Sequence, residues 1–210
     1  MSAWGRVLAC ALSLAACGGP VPEIHYYELA VLQPMRRPAS DPRLVLAIEP
    51  FEANAAYESE QMVYRVSPYR MDYYHYHRWS ASPALTVADY LREAFSRTGR
   101  FRRVVLEPSP NAPLVLGGRV LALEEVDVTE ESWYGQVVLE LSLESRESGE
   151  VVWSQTFSER EKMEQRSPEG LARALSLALD RIVAASTGPI AAALDTAARA
   201  DARREPAATR

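Results

Sequence analysis

The sequence contains few cysteines and no excess of basic residues, and each shortage excludes a class of protein. Only two of its 210 residues are cysteine, Cys10 and Cys17, so a small scaffold held together by several disulfides is excluded. The formal net charge is −5, whereas nucleic-acid binders usually carry a basic surface. We therefore expect no disulfide and no nucleic-acid partner.

Sequence motifs of common enzymes are also missing. The chain has no G-x-S-x-G, no P-loop, no G-x-G-x-x-G and no H-E-x-x-H, so the usual hydrolase, nucleotide-binding and zinc-protease signatures are absent. The acid pairs Glu124-Glu125 and Glu130-Glu131 fall where strands are expected to end, which favours solvated carboxylates. Gly117-Gly118 indicates a bulge or a close backbone approach. We expect no catalytic residue and no cofactor.

The N-terminus has the pattern of a bacterial lipoprotein signal. Arg6 precedes a short apolar stretch, residues 7–14, that is too short to span a bilayer. Leu14-Ala15-Ala16-Cys17 then resembles a lipobox. The pattern predicts cleavage after Ala16 and attachment of acyl chains, such as palmitate, to Cys17. An ordinary secretory signal with an accidental cysteine is the alternative.

The distribution of cysteine supports the lipoprotein interpretation. Cys10 lies in the segment that would be removed, so acylation of Cys17 leaves no thiol in an oxidising compartment. The mature chain would hold 22 basic and 28 acidic residues, a net charge of −6. Gly18 follows the acylated position, where related lipoproteins of the inner membrane carry aspartate. This favours the periplasmic leaflet of the outer membrane.

The composition divides the chain into four segments. We expect a signal peptide at 1–16, a lipidated tether at 17–23, one folded domain at 24–187 and an Ala-rich tail at 188–210. The domain is long enough to bury a hydrophobic core of its own.

Strands dominate the predicted domain. β-branched and aromatic residues, alternation and turn residues predict strands at 24–29, 43–48, 61–66, 69–78, 101–106, 114–128, 133–146 and 150–160. The run 43–48 is apolar throughout, as in a central strand. The last three form an antiparallel meander with one face in solvent.

Two helices are predicted to cover this sheet. Ser82 and Pro83 give a capped helix start and Gly99 a stop, so the first helix spans about 83–98. A second apolar stripe begins after Ser167 and is interrupted by Gly188-Pro189, and a short extra helix near 190–200 is left open. The expected fold class is α+β, a mainly antiparallel sheet with two principal helices packed on one face.

A Tyr- and His-rich stretch, residues 73–79, is the most distinctive internal segment. We predict a contact surface for a partner at Tyr73, Tyr74, Tyr76 and Trp79, because Tyr and Trp are enriched at interface centres. The alternative is that one face of this strand belongs to the core. His75 and His77 would share a face, but two imidazoles do not make a metal site, and we expect none.

Several stretches, taken in order, resemble the ABC-type transport auxiliary lipoprotein family. They are the lipobox at Cys17, the Tyr26-Tyr27-x-Leu29 stretch, a strand ending at Pro50, the stretch at 62–65 and Trp79 shortly before a helix. The similarity spans roughly 24–186.

This resemblance implies a non-enzymatic accessory protein in the cell envelope. Its partners would be an MCE-domain membrane protein with an ABC permease and an ATPase, in a system that moves lipids or other hydrophobic molecules between membranes. A homo-oligomer is left open. The alternatives are a structural envelope lipoprotein without a transport role and a periplasmic hydrolase.

Overall fold

A computed structural model describes residues 22–36, 43–106 and 112–204. The predicted signal peptide, its cleavage site at Ala16 and the acylation site Cys17 lie outside the described residues. The described residues form two α-helices, α1 (Pro83–Arg97) and α2 (Pro168–Arg204), and nine strands. The strands are β1 (His25–Tyr27), β2 (Val45–Ile48), β3 (Glu52–Ala53), β4 (Gln61–Ser67), β5 (Arg70–Trp79), β6 (Arg103–Val105), β7 (Leu114–Thr129), β8 (Ser132–Ser145) and β9 (Val151–Lys162).

Strand β7 is the axis of the sheet. Along one edge it pairs in parallel with β2, β3 and β4 in succession, at Val115–Leu116, Arg119–Val120 and Glu124–Val126. Its other edge pairs along nearly its whole length with β8, which pairs in turn with β9. β6 extends the sheet beyond β2, and β5 and β1 extend it beyond β4.

The predicted α+β class is confirmed, with a mixed sheet. The longest ladders, β7 with β8 and β8 with β9, are antiparallel, as is the β4–β5 hairpin. The short strands β1, β2, β3 and β6 pair in parallel. The expected meander therefore exists, and a set of short parallel strands flanks it.

Both helices cover one face of the sheet. Along β8, Val137, Leu139, Leu141 and Leu143 are fully buried and form the floor of the main core together with residues of both helices. Their neighbours Gln136, Glu140 and Ser142 point to the other face, which carries a smaller cluster around Tyr57, Val63 and Ala122. The alternation in the sequence therefore determines which face the helices cover.

Helix α1 begins and ends where the sequence predicts. The Ser82 hydroxyl accepts a hydrogen bond from the Leu85 amide at 3.5 Å, and Pro83 occupies the first turn, where its missing N–H costs nothing. Gly99 follows with a φ of 67°, a left-handed conformation that glycine adopts without steric cost.

Helix α2 is longer than predicted, because it continues through Gly188-Pro189 to Arg204. Proline inside a helix costs about 3 kcal/mol. Here Ile190, Ala191 and Leu194 lie in the core at 0%, 0% and 2% exposure, and each large side chain contributes about 1.5–3 kcal/mol on burial. The first part of the expected tail is thus a core helix.

The length and composition of Pro168–Ala200 would also allow this helix to cross a membrane, yet half of its most apolar window is buried in the domain. In this fold the long apolar helix covers β8 and β9 instead. Arg181 of α2 bonds the Glu159 and Glu161 carboxylates of β9 at 2.8 and 2.6 Å, which fixes the helix on the meander.

Glycines mark two places where another part of the chain approaches the backbone closely. A β-carbon on Gly118 would lie within 2.8 Å of three Phe51 ring atoms, so the close approach predicted at Gly117-Gly118 is confirmed. On β8, a β-carbon on Gly135 would meet the Ala174 β-carbon at 2.9 Å and the Leu175 amide nitrogen at 3.0 Å. Gly135 therefore lets α2 pack directly on the strand.

Residues 28–36 cross the two helices as an extended strap. The Ala30 amide donates to the Ser176 hydroxyl at 3.1 Å, and the Arg36 amide donates to the Arg97 carbonyl at 2.8 Å. The Arg97 guanidinium donates to the Val31 and Gln33 carbonyls at 3.1 and 3.0 Å. The chain that leads from the predicted anchor is therefore fixed to both helices.

Candidate functional site

The four aromatic residues predicted as a contact surface occupy different environments. Trp79 is 1% exposed and packs in the main core, whereas Tyr76 is 47% exposed. Tyr73 is half-buried and packs against the small cluster on the open face. The Tyr74 hydroxyl donates to the Glu125 carboxylate at 2.7 Å. Of the four, Tyr76 is the one that a partner can reach freely.

An irregularity in β5 separates these side chains. Gln61 pairs with Arg78 and Val63 pairs with Tyr73, so two residue steps on β4 face five on β5. A bulge of this kind shifts the alternation of side chains. Tyr73 and Trp79 would share a face of a regular strand, but they lie in clusters on opposite faces of the sheet.

Histidines meet across the β1–β5 pair. His25 and His77 are register partners, and their rings stack with centroids 5.6 Å apart. The Tyr27 hydroxyl lies 2.9 Å from His77 Nδ1. Burial, and then the neighbouring His25, lower the pKa of His77. His75 is exposed. The histidines that lie together are therefore His25 and His77, and not His75 and His77.

Metal coordination has little support at this place. Within residues 22–36, 43–106 and 112–204, no three His, Cys, Asp or Glu side chains come together as a metal site. The two stacked imidazoles are engaged with each other and with Tyr27. Their arrangement fits the packing of β1 on β5.

Glu125 is the centre of a polar cluster beneath the start of α2. Its carboxylate is fully buried and accepts hydrogen bonds from Tyr74 at 2.7 Å and from Arg166 at 3.1 Å. Arg166 also pairs with Asp127 at 2.5 Å, and its guanidinium lies 5.7 Å from the Trp133 ring centroid. Burial raises the pKa of Glu125, and the Tyr74 hydrogen bond opposes this.

Glu124 forms a second cluster on the opposite face of β7. The carboxylate is 2% exposed and accepts hydrogen bonds from the Tyr57 hydroxyl at 2.7 Å and from Arg65 Nε at 2.8 Å. Burial and the hydrogen bond to Glu124 raise the pKa of Tyr57 to about 12. Each of the two neighbouring glutamates is thus paired with one tyrosine and one arginine.

The expectation that Glu124-Glu125 is solvated at a strand end is wrong. β7 continues to Thr129, so both residues lie inside the strand, with β4 on one edge and β8 on the other. The apolar residues on both sides of the pair, in the run 120–128, are the signal that indicates a strand interior. The partners Tyr57, Tyr74, Arg65 and Arg166 come from distant segments and carry no such signal.

Two grooves flank the strap. One of about 520 Å³ lies between residues 28–32, the end of β9 and the first turns of α2. The other, about 340 Å³, lies between the two helices under residues 31–36. At its edge the buried Asp180 accepts a hydrogen bond from Tyr90 at 2.6 Å, and burial raises the pKa of Asp180.

The sequence profile of the ABC-type transport auxiliary lipoprotein component matches residues 27–185. The chain belongs to this family. The match covers the sheet from Tyr27 onward, α1 and about the first half of α2, so the resemblance on roughly residues 24–186 is confirmed. Membership makes the chain an auxiliary lipoprotein of an ABC-type transport system. No curated protein matches the chain.

Solved structures similar to this auxiliary lipoprotein share its fold. A crystal structure of a Xanthomonas campestris protein is 19% identical, with a TM-score of 0.66 over 85% of this chain and 99% of that one. A second crystal structure, of an uncharacterized protein, is 14% identical, with a TM-score of 0.67 over 80% of this chain and 99% of that one. At these identities the likeness concerns the fold alone.

Proposed function

We propose that the protein is a lipid-anchored docking module that serves an MCE/ABC-type system for lipids or other hydrophobic molecules. The family match over residues 27–185 is the observation that carries this proposal. The lipobox at Cys17 supplies the anchor, and Gly18 directs the protein to the periplasmic leaflet of the outer membrane. The folded domain then supplies recognition of the partner.

We infer that the two buried glutamates stabilise the fold and take no part in catalysis. Glu124 and Glu125 each accept hydrogen bonds from a tyrosine and an arginine of the same domain. A carboxylate whose lone pairs are satisfied in this way stabilises the sheet, and it has little capacity left to act on a substrate. We therefore assign both glutamates a structural role.

The outer edge of β9 is the surface that we assign to the partner. Within the described residues β9 (Val151–Lys162) pairs with no strand except β8, so its outer edge has no strand partner. Near the end of β9 the Arg160 carbonyl accepts a hydrogen bond from Arg181 at 3.0 Å, which leaves the first part of the edge open. Val151 and Val152 at its start are 53% and 50% exposed. An open edge of this length can add a strand from another chain, with main-chain hydrogen bonds supplying the affinity. The partner we propose is the MCE-domain protein.

A pull-down from solubilised envelopes tests this function. We expect the wild type to recover an MCE-domain protein with its ABC permease and ATPase, and the Cys17→Ala variant to recover them poorly, as measured by mass spectrometry. A photo-crosslinking amino acid at Val152 should capture the MCE-domain protein. The same amino acid at Leu85, which is 50% exposed on α1, is the matched control.

The outcomes separate the alternative functions. Recovery of unrelated envelope components would favour a structural lipoprotein without a transport role. Recovery of the protein alone would contradict the docking module. Equal crosslinking from positions 152 and 85 would contradict the β9 edge as the docking surface while leaving the partner unchanged.

A further inference from the structure

Exposed apolar and aromatic side chains collect on the β1–β5 edge of the sheet, directly after the predicted tether. Ile24, Tyr26 and Tyr76 are 40%, 61% and 47% exposed. Tyr26 is the register partner of Arg78, Ile24 immediately precedes β1, and Tyr76 lies on β5 two residues before Arg78. These four residues lie together along the β1–β5 edge, which we name the edge patch.

Arg78 gives the edge patch a positive charge. Its Nε atom is buried and makes no hydrogen bond within the described part of the chain. The Arg78 side chain as a whole is half-buried, and a half-buried guanidinium with a donor that lacks an acceptor is suited to an anionic group that approaches from outside. Phosphate is the anion whose geometry a guanidinium matches best, because the planar group can donate two parallel hydrogen bonds.

The length of the tether decides which surface supplies that phosphate. Cys17 precedes Ile24 by seven residues, and an extended chain spans at most about 3.6 Å per residue. The edge patch therefore lies within roughly 25 Å of the acylated residue. Tyrosine is enriched at the headgroup level of membranes, where its ring is apolar and its hydroxyl hydrated.

We propose that the edge patch rests on the phospholipid headgroups of the membrane that holds the anchor. Arg78 binds a lipid phosphate, and Tyr26 and Tyr76 lie in the interfacial layer. This inference rests on the acylation of Cys17, which belongs to the proposed function. It assigns Tyr76 to the bilayer, and it turns the β9 edge, at the other end of the sheet, toward the periplasm.

A single engineered cysteine can report the distance from the bilayer. In the acylated full mature chain neither natural cysteine offers a free thiol, so a fluorophore can be attached at Tyr76→Cys or at Tyr69→Cys alone. Tyr69 is 98% exposed at the tip of the β4–β5 hairpin and serves as the matched control. Both proteins are reconstituted in vesicles of phosphatidylethanolamine and phosphatidylglycerol.

The expected result is protection at position 76 alone. Aqueous iodide should quench the fluorophore at position 76 about five-fold less than at position 69, because an interfacial residue is shielded from water. Equal quenching at the two positions, on protein whose intact mass shows the acyl chains, would overturn this inference and leave the proposed function standing. A mass without acyl chains would overturn both.

Vesicle flotation of the unacylated protein provides a second measurement. In a Cys17→Ala background, we expect the Tyr26→Ser/Tyr76→Ser pair to lower binding to the same vesicles by roughly ten-fold, because binding strength follows the buried apolar area and the attraction to anionic lipid. Arg78→Gln should lower it too, and Tyr69→Ser should not. An equal loss with Tyr69→Ser, or no binding by the parent protein, would overturn the proposal.

Discussion

At the scale of single residues, two consecutive glutamates of β7 take opposite directions and reach similar surroundings. Glu124 and Glu125 are both buried, and each is held by a tyrosine hydroxyl at 2.7 Å. Burying a carboxylate is costly unless it is paired. The arginines Arg65 and Arg166 supply that pairing, so the stability of the strand depends on residues far away in the chain.

Removal of Arg65 should expose this dependence. We expect Arg65→Met to lower the free energy of unfolding by about 3 kcal/mol, because it leaves the Glu124 carboxylate buried beside Tyr57 without its cation. The Arg65→Met/Glu124→Met pair should lose less than the single variant. Urea unfolding followed by circular dichroism measures both. A double variant that is less stable than Arg65→Met would contradict the pairing.

His77 should make stability depend on pH. The fold lowers the pKa of this imidazole through burial and through His25, so the native state favours the neutral ring. The contribution is fully present above the usual pKa of about 6.5 and is lost as the pH falls toward the lower native value. Urea midpoints between pH 7.5 and about 5 should fall less steeply for His77→Gln than for the wild type.

At the scale of elements, the contact of α2 with β8 depends on the absence of one side chain. Gly135→Ala should destabilise the protein by about 1–3 kcal/mol, because its β-carbon would collide with the α2 backbone. Gly188→Ala is the matched substitution, since a β-carbon there meets nothing within 4 Å. It should stabilise the helix by about 0.5–1 kcal/mol. Thermal unfolding of the two variants compares these effects directly.

The part of α2 beyond Pro189 should contribute to the core. We expect Leu194→Ala to cost about 2–5 kcal/mol, because the side chain is 2% exposed and its removal leaves a cavity. Leu85→Ala, at a leucine that is 50% exposed on α1, should cost far less. Equal losses in urea unfolding would mean that the last turns of α2 do not belong to the domain.

The long strands and their pairing could be predicted from the sequence, whereas the partners of the shortest strands could not. β7, β8 and β9 alternate over many residues, so their bounds, pairing and buried face follow from the pattern. β3 and β6 have two and three residues, too few to specify a partner. The predicted stop at Gly188-Pro189 was wrong because burial of Ile190 and Leu194 outweighs a local helix breaker.

The site was less predictable than the fold for a related reason. The irregularity in β5, where five residue steps face two on β4, depends on how the two strands pair. No residue type in the sequence indicates it. Without that register, the alternation of residues in Tyr73–Trp79 does not predict that Tyr76 is exposed and that Trp79 lies in the core. The pairing of His25 with His77 joins segments 52 residues apart, which a local pattern does not detect.

At the scale of the whole molecule, the fold needs no covalent crosslink. Cys10 belongs to the predicted signal peptide and Cys17 to the predicted anchor. We expect dithiothreitol to leave the urea midpoint of the mature protein unchanged, because no disulfide contributes to its stability. A midpoint that falls in the reductant would show a disulfide between the Cys17 residues of two chains and would contradict acylation of Cys17.

The position of β7 in the sheet has a consequence for how the protein is made. β2, β3 and β4 come early in the chain, yet their shared edge is formed by residues 115–126. Until that segment has emerged on the far side of the membrane, β2, β3 and β4 lack the strand β7 with which they pair. Contacts between such distant segments also form slowly. For a chain that crosses a membrane unfolded, this order of strands delays folding until more than half of it has crossed.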